Sequence, residues 1–381
     1  MEYMATNKII SFLTLPFKVY GTSMRPGVLM MCKIFVVLLI AHGFFGSITD
    51  SFIPFISSLD NLNQYPNLLE YFIKALFILG STSLILNYKV RASAILIACS
   101  IFLGILASKP IFRNHLFIIG CVFFLSGLTS KEDTPWLLFF QLGLVYFGAL
   151  LNKMTQIEWW TGQFMHNWLS VALENPVYNS WYESTSSLIL AKLMSYSAML
   201  AELLIGFCLF VPKFRLYAIT MILVFHTILF SFTGETFGYF MEDILIILIA
   251  FREWPEQPIQ IDYRMSNFNN GLVNLIKLLD FDRRFTFNKR FKAVGRGLSA
   301  TNDFKFLHGK SLIVHTLLST SGFYILILCL EMGIRYLFND FLKYIFLLGL
   351  FWILLLLLSP IFFDYLKKVR QKKLAVNHEF E

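Results

Sequence analysis

VYFGALLNKMTQIEWWTG, residues 145–162, begins as an apolar helical run and then sets Asn152 and Lys153 side by side, with Trp159, Trp160 and Gly162 close behind. Together with the preceding WLLFFQLGL it makes residues 136–152 a continuous apolar stretch, long enough to cross or nearly cross a bilayer core, which takes about 17–25 residues. An amine at the end of such a span has two readings. It can snorkel to the headgroups, with the two tryptophans as an aromatic belt, or it can be a working base. Spacing alone leaves both open.

The rest of the chain settles its solvent. Among 381 residues, 57% are hydrophobic and only 15% charged, with mean hydropathy +0.64. Soluble domains carry charge on about a quarter of their residues, so this much apolar surface belongs in lipid. Apolar runs predict ten membrane spans, roughly 28–47, 67–86, 92–107, 115–130, 136–152, 187–211, 214–232, 236–251, 311–334 and 341–363. The expected fold class is an all-α polytopic membrane protein, a bundle of about 8–10 transmembrane helices. Its expected organisation is a helical bundle over 1–251, a basic cytoplasmic segment over 252–310, and two further spans with a basic tail over 311–381.

Charge sets the expected orientation. With the N-terminus inside, inner loops and tail hold 24 Lys and Arg against five in the outer loops. That bias puts both termini in the cytoplasm of a multi-pass protein of the cell membrane. The net charge of +8 is explained by those basic inner loops, and no nucleic-acid partner follows from it. Cys32, Cys99, Cys121, Cys208 and Cys329 all lie in apolar runs without metal-ligand spacing, so neither a disulfide framework nor a metal site is expected.

That topology gives the polar residues an address. Asn114 and His115 open the fourth span on the outer side, Asn152 and Lys153 end the fifth there, and His226 falls in the outer half of the seventh. Glu235, Glu242 and Asp243 enter the eighth from the same side, while Glu202 lies mid-span in the sixth. Ionisable groups at membrane depth face a bundle interior or an aqueous cavity, so their gathering at one leaflet is a candidate site. Each also has a plainer reading: an interfacial cap for Asn114–His115, a helix–helix hydrogen bond for His226, and pairing of Glu242 and Asp243 with Lys192 or another buried cation.

RNHLFIIGCVFFLSGLTS followed by WLLFFQLGLVYFGALLNKMTQIEWWTG resembles the membrane core of the horizontally transferred transmembrane (HTTM) family, which includes vitamin K-dependent gamma-carboxylase-like proteins. The resemblance rests on Asn114–His115, Gln141, Tyr146–Phe147, Ala149, Lys153, Trp159 or Trp160, and Gly162, with AELLIGFCLFVPKFR and LVFHTILFSFTGETFGYF further on. It implies Lys153, His115 and His226 as catalytic residues, with Asn114, Gln141, Tyr146, Trp159 and Trp160 around a quinol. The implied cofactor is reduced vitamin K or another quinol. In that chemistry a neutral lysine acts as base and histidines stabilise an oxyanion, giving a carboxylase/epoxidase, lyase-like activity. Besides membrane lipids, a secreted peptide or protein is the implied partner. A non-catalytic member that helps such a peptide mature, and a proton-coupled transporter using Glu202, Glu242, Asp243 and His226, are the competing classes.

Within 252–310, PIQIDYRMSNFNNGLVNLIKLLDFDRRFTF runs from a β-like stretch through a polar turn to an amphipathic helix at 270–280 and a second β-like stretch ending at Phe287. It weakly resembles the DCC family of thioredoxin-like proteins, with Asp262 matching and Met265 and Phe268 at the cysteine positions, which excludes thiol chemistry. The competing expectation is a basic linker on anionic lipid, favoured by Arg283, Arg284, Lys289, Arg290, Lys292 and Arg296.

Overall fold

The computed structural model describes residues 12–48, 53–233, 238–289, 298–300, 310–338, 342, 345–346, 348–349 and 352. Most of them are helical, with one small sheet. The chain forms two compact units, one of 1–134 with 249–343 and 353–381, the other of 135–248 with 344–352. Glu235, Arg290, Lys292, Arg296, the tail and most of the tenth predicted span lie outside the described residues.

The first unit begins with α1 (Pro26–Ala41), α2 (Pro66–Ile85), α3 (Val90–Ala107) and α4 (Asn114–Leu128). Pro26 and Pro66 occupy first helical positions, where a missing N–H costs nothing and the ring presets φ. Small residues let the helices close. A Cβ on Gly80 would stand 2.8 Å from Ile97 of α3, and one on Gly127 of α4 2.7 Å from the carbonyl of Arg91. In lipid such close approach supplies the dispersion contact that holds helices together. Lys33, inside the first predicted span and only 4% exposed, donates to the carbonyls of Pro16 and Lys18 at 2.9 and 2.8 Å.

The second unit holds α5 (Trp136–Met154), α6 (Ile157–Thr161), α7 (Gln163–His166), α8 (Pro176–Thr185), α9 (Ile189–Phe210), α10 (Arg215–Thr233) and α11 (Gly238–Ala250), the last running two residues past the unit. Its α9 has the burial pattern of a membrane helix. Glu202 and Ser195 are buried, while Leu200, Leu203 and Phe207 are exposed, the reverse of a helix packed in water. Among the described residues, five helices are long and apolar enough to span a bilayer, and three shorter apolar ones accompany them. Predicted spans two to eight each coincide with a helix, and the first takes in α1, which stops at Ala41, and a separate turn of helix at Phe44–Ser47 after Gly43 (φ +75°).

The ninth does not coincide with one helix. Where one span was expected over 311–334, there are two helices, α13 (Lys310–Leu317) and α14 (Ser321–Leu337). The cause is tertiary. In the first unit, β1 (Ile259–Tyr263) pairs in parallel with β2 (Phe285–Lys289) and antiparallel with β3 (Leu298–Ala300), and α12 (Asn267–Leu279) connects β1 to β2. Leu312 of α13 joins Ile259, Ile261, Tyr263, Val273, Ile276 and Phe285 in that module's core. Those apolar residues are therefore buried against a sheet. The strand–turn–helix–strand order expected from the sequence is present, with Ser266 capping α12 by accepting from Asn269 N–H.

The module is fastened within its unit. Asp282 accepts the N–H groups of Val19 and Tyr20, and the Arg284 guanidinium lies 3.8 Å from the centre of the Tyr20 ring. Burial pushes the Asp282 carboxyl above its ordinary range, and the two N–H donors work against that shift. At the other end α14 closes on α12, where a Cβ on Gly322 would stand 2.5 Å from the carbonyl oxygen of Leu279.

Candidate functional site

Within the second unit, α5 and α9 pack antiparallel by exchanging small and aromatic residues. Gly143 lies against Phe210, Gly206 lies against Phe147, and the rings of Phe147 and Phe210 stack with centroids 5.5 Å apart. Residue numbers rise along one helix as they fall along the other. Continued toward the end of α5, that register sets Lys153 opposite Glu202. Their side chains meet at 2.6 Å as a salt bridge, with 17% and 7% of the two side chains exposed.

The chain after α5 folds over this pair. Thr155 ends the helix, α6 turns back, and Trp159 brings its ring centre to 5.1 Å from the Lys153 amine. Gly162 makes the next turn possible. Its φ of +82° lies in the left-handed region, and an added Cβ would stand 2.6 Å from the backbone nitrogen of Lys192. Trp159 then stacks on Phe164 at 4.3 Å and joins a core with Leu150, Met165, Leu169, Tyr178, Ala191 and Met199. The amine thus has a carboxylate on one side and an indole near it on a built cap.

One heptad before Lys153, Tyr146 is 3% exposed and its hydroxyl lies 2.7 Å from Nε2 of His226 on α10. His226 is 2% exposed, and Phe240 of α11 packs near its ring. Among the buried polar atoms of this unit that have no hydrogen-bond partner among the described residues are Nδ1 of His226, Oε2 of Glu202 and Oδ2 of Asp243. Orphans of this kind are rare in native proteins and call for an explanation.

The candidate residues are thus distributed unevenly. Lys153, Glu202, Trp159, Tyr146 and His226 are in the second unit, as two groups: Lys153 with Glu202 and Trp159, and Tyr146 with His226. Gln141 is also there, half-buried on α5, whereas Asn114 and His115 open α4 in the first unit. Asn152 is exposed and accepts from the Gln156 side chain, and Trp160 is exposed, donating to the carbonyl of Met154. Lys192 lies over the Tyr196 ring. The sequence reading placed Glu202 deep in its helix without giving Lys153 to it. A mid-span carboxylate needs a cation, and that need was the available signal. His166, bonded to the Tyr178 hydroxyl at 2.9 Å beside a π-helical turn at Asn167–Ala172, was not singled out at all.

Residues 131–254 match the family model of the HTTM domain, so the chain is a multi-pass membrane protein with an HTTM domain. The match takes in Lys153, Glu202, Tyr146 and His226, begins after Asn114–His115, and ends before the sheet module. No curated protein and no solved structure matched the chain.

Proposed function

We propose that this HTTM-family membrane protein is an acid–base enzyme in which the Lys153–Glu202 pair takes a proton from a lipid-soluble quinol. The observation that carries the reading is the 2.6 Å pair itself. An amine and a carboxylate in contact, with the Trp159 ring beside the amine, can act together as a base: in the reactive form Lys153 is neutral, and Glu202 holds the ammonium formed when it takes up a proton. The resemblance to vitamin K-dependent gamma-carboxylase-like proteins supplies the substrate class.

The orphaned atoms fit such a substrate. Oε2 of Glu202 is a free acceptor for a phenolic hydroxyl. If Tyr146 donates to Nε2, neutral His226 carries its proton on Nδ1, a donor suited to the oxyanion left when that hydroxyl ionises. A bound quinol supplies two weakly acidic hydroxyls and a ring that reacts with oxygen, overall quinol plus oxygen to quinone epoxide plus water. Neutral Lys153 receives the proton as Glu202 stabilises the resulting ammonium, and the Trp159 ring lies beside the amine. In this reading the site opens to the outer leaflet and both termini are cytoplasmic, as the charge bias favours.

The purified protein, given a reduced naphthoquinone and oxygen, is expected to form epoxide, and Lys153→Ala to lose at least about 100-fold, the lower end of a general base's contribution. Unchanged turnover in the variant would remove Lys153 from the mechanism. A second reading has its own support in the same contact, because a salt bridge between two helices can be a purely structural tie. The protein would then be an accessory membrane protein for maturation or export of a secreted peptide, and the assay would give no epoxide from either form.

A further inference from the structure

We infer that α12 lies on an anionic bilayer surface and holds the sheet module against the membrane. The helix has two apolar stripes. One, Val273, Ile276 and Leu279, is buried in the module core. The other has no place there. Phe268 is 74% exposed and Leu278 72%, with Leu275 also exposed between them and Met265 exposed just before the helix. Gly271 sits within this stripe, and a Cβ added there would meet nothing within 4 Å. Residues 268, 271, 275 and 278 follow the spacing that lines one helix face.

Charge identifies the occupant. From β1 through β2 (259–289) the carboxylates are Asp262, Asp280 and Asp282, with Glu253 and Glu256 exposed on the chain leading into β1. Asp262 and Asp280 are buried, and Asp282 is turned inward onto the Val19 and Tyr20 N–H groups. The cations Arg264, Lys277, Arg283 and Lys289 are all exposed. Among the described residues from β1 to β2, the outward surface therefore carries apolar side chains and positive charge, with the carboxylates of that stretch folded inside. That combination suits the headgroup boundary of an anionic leaflet, where apolar residues insert and each cation gains from the surface potential.

Position agrees. The carbonyl of Leu279, the last residue of α12, lies against Gly322 in the first turn of α14. From there α14 runs on as an apolar helix with Leu326, Leu330 and Leu337 exposed. The end of α12 is thus fixed at the level where an apolar helix begins, which is interface depth.

The test uses the full chain with Phe268 replaced by the photocrosslinker benzoylphenylalanine, a change at an exposed aromatic that leaves the core untouched. It is reconstituted in nanodiscs of phosphatidylcholine, with or without phosphatidylserine, and read by intact mass. The expected result is a covalent lipid adduct whose yield rises with phosphatidylserine. Adding Arg264→Gln should lower the phosphatidylserine-dependent part about fivefold, the factor given by about 1 kcal/mol per basic residue near such a surface. A crosslink to a second copy of the chain, no adduct, or an adduct indifferent to phosphatidylserine would each overturn the inference.

Discussion

Replacing Glu202 with leucine should destabilise the second unit by about 3 kcal/mol, the lower end of the range for breaking a buried ion pair by removing one partner. The lower end applies because 17% of the Lys153 side chain remains exposed and its charge is partly solvated. Most of the loss comes from the amine left beside Trp159 without its carboxylate. Lys153→Met in the same background should recover much of the stability, since the orphaned charge goes with it. Unfolding in detergent micelles, followed for both single variants and the double variant, gives the coupling directly. Additive effects would show that the two side chains do not depend on each other.

Gly162→Ala should cost a comparable amount, about 3 kcal/mol from left-handed backbone strain and overpacking together. The alanine Cβ would stand 2.6 Å from a backbone nitrogen and 2.9 Å from a Cα, both of Lys192. Backbone cannot rotate away as a side chain can, so the turn must shift. What shifts is the cap that carries Trp159 over the amine. The variant should therefore lose activity beyond its loss of stability, and quenching of tryptophan fluorescence should report greater solvent access. A Gly162→Ala protein as stable and as active as the native one would mean the cap has no part in shaping the site.

How far all this was legible beforehand depended on range. Apolar run length is a local property, and spans two to eight could be read from it. The break between α13 and α14 could not, because SLIVHTLLSTSGFYILILCL is apolar on both sides of Ser319–Ser321. Only the packing of Leu312 into a sheet formed some fifty residues earlier divides it. Strand–helix–strand order in the module was readable from its change of periodicity, and its parallel pairing was not.

The site divides in the same way. Lys153 stood out because an amine in an apolar span needs a reason. Its partner is 49 residues away in sequence, and pairing them requires the α5–α9 register, which the Gly143–Phe210 and Gly206–Phe147 contacts set. Asn152, adjacent in sequence, is exposed and bonded to Gln156. His226 was read as either a helix–helix hydrogen bond or a site residue, and its bond to Tyr146 with a free Nδ1 leaves room for both.

The proposed chemistry and the structural tie differ most sharply in the exchanged pair, Lys153→Glu with Glu202→Lys, which keeps a salt bridge between α5 and α9 but moves the amine to the other helix. Oxygen-dependent epoxide formation from a reduced naphthoquinone should be measured on native protein and exchanged pair side by side, with folding checked by the same detergent unfolding. Acid–base catalysis by a placed Lys153 predicts epoxide from the native protein and almost none from a folded exchanged pair. Equal epoxide from the two, or none from the native protein, would contradict it.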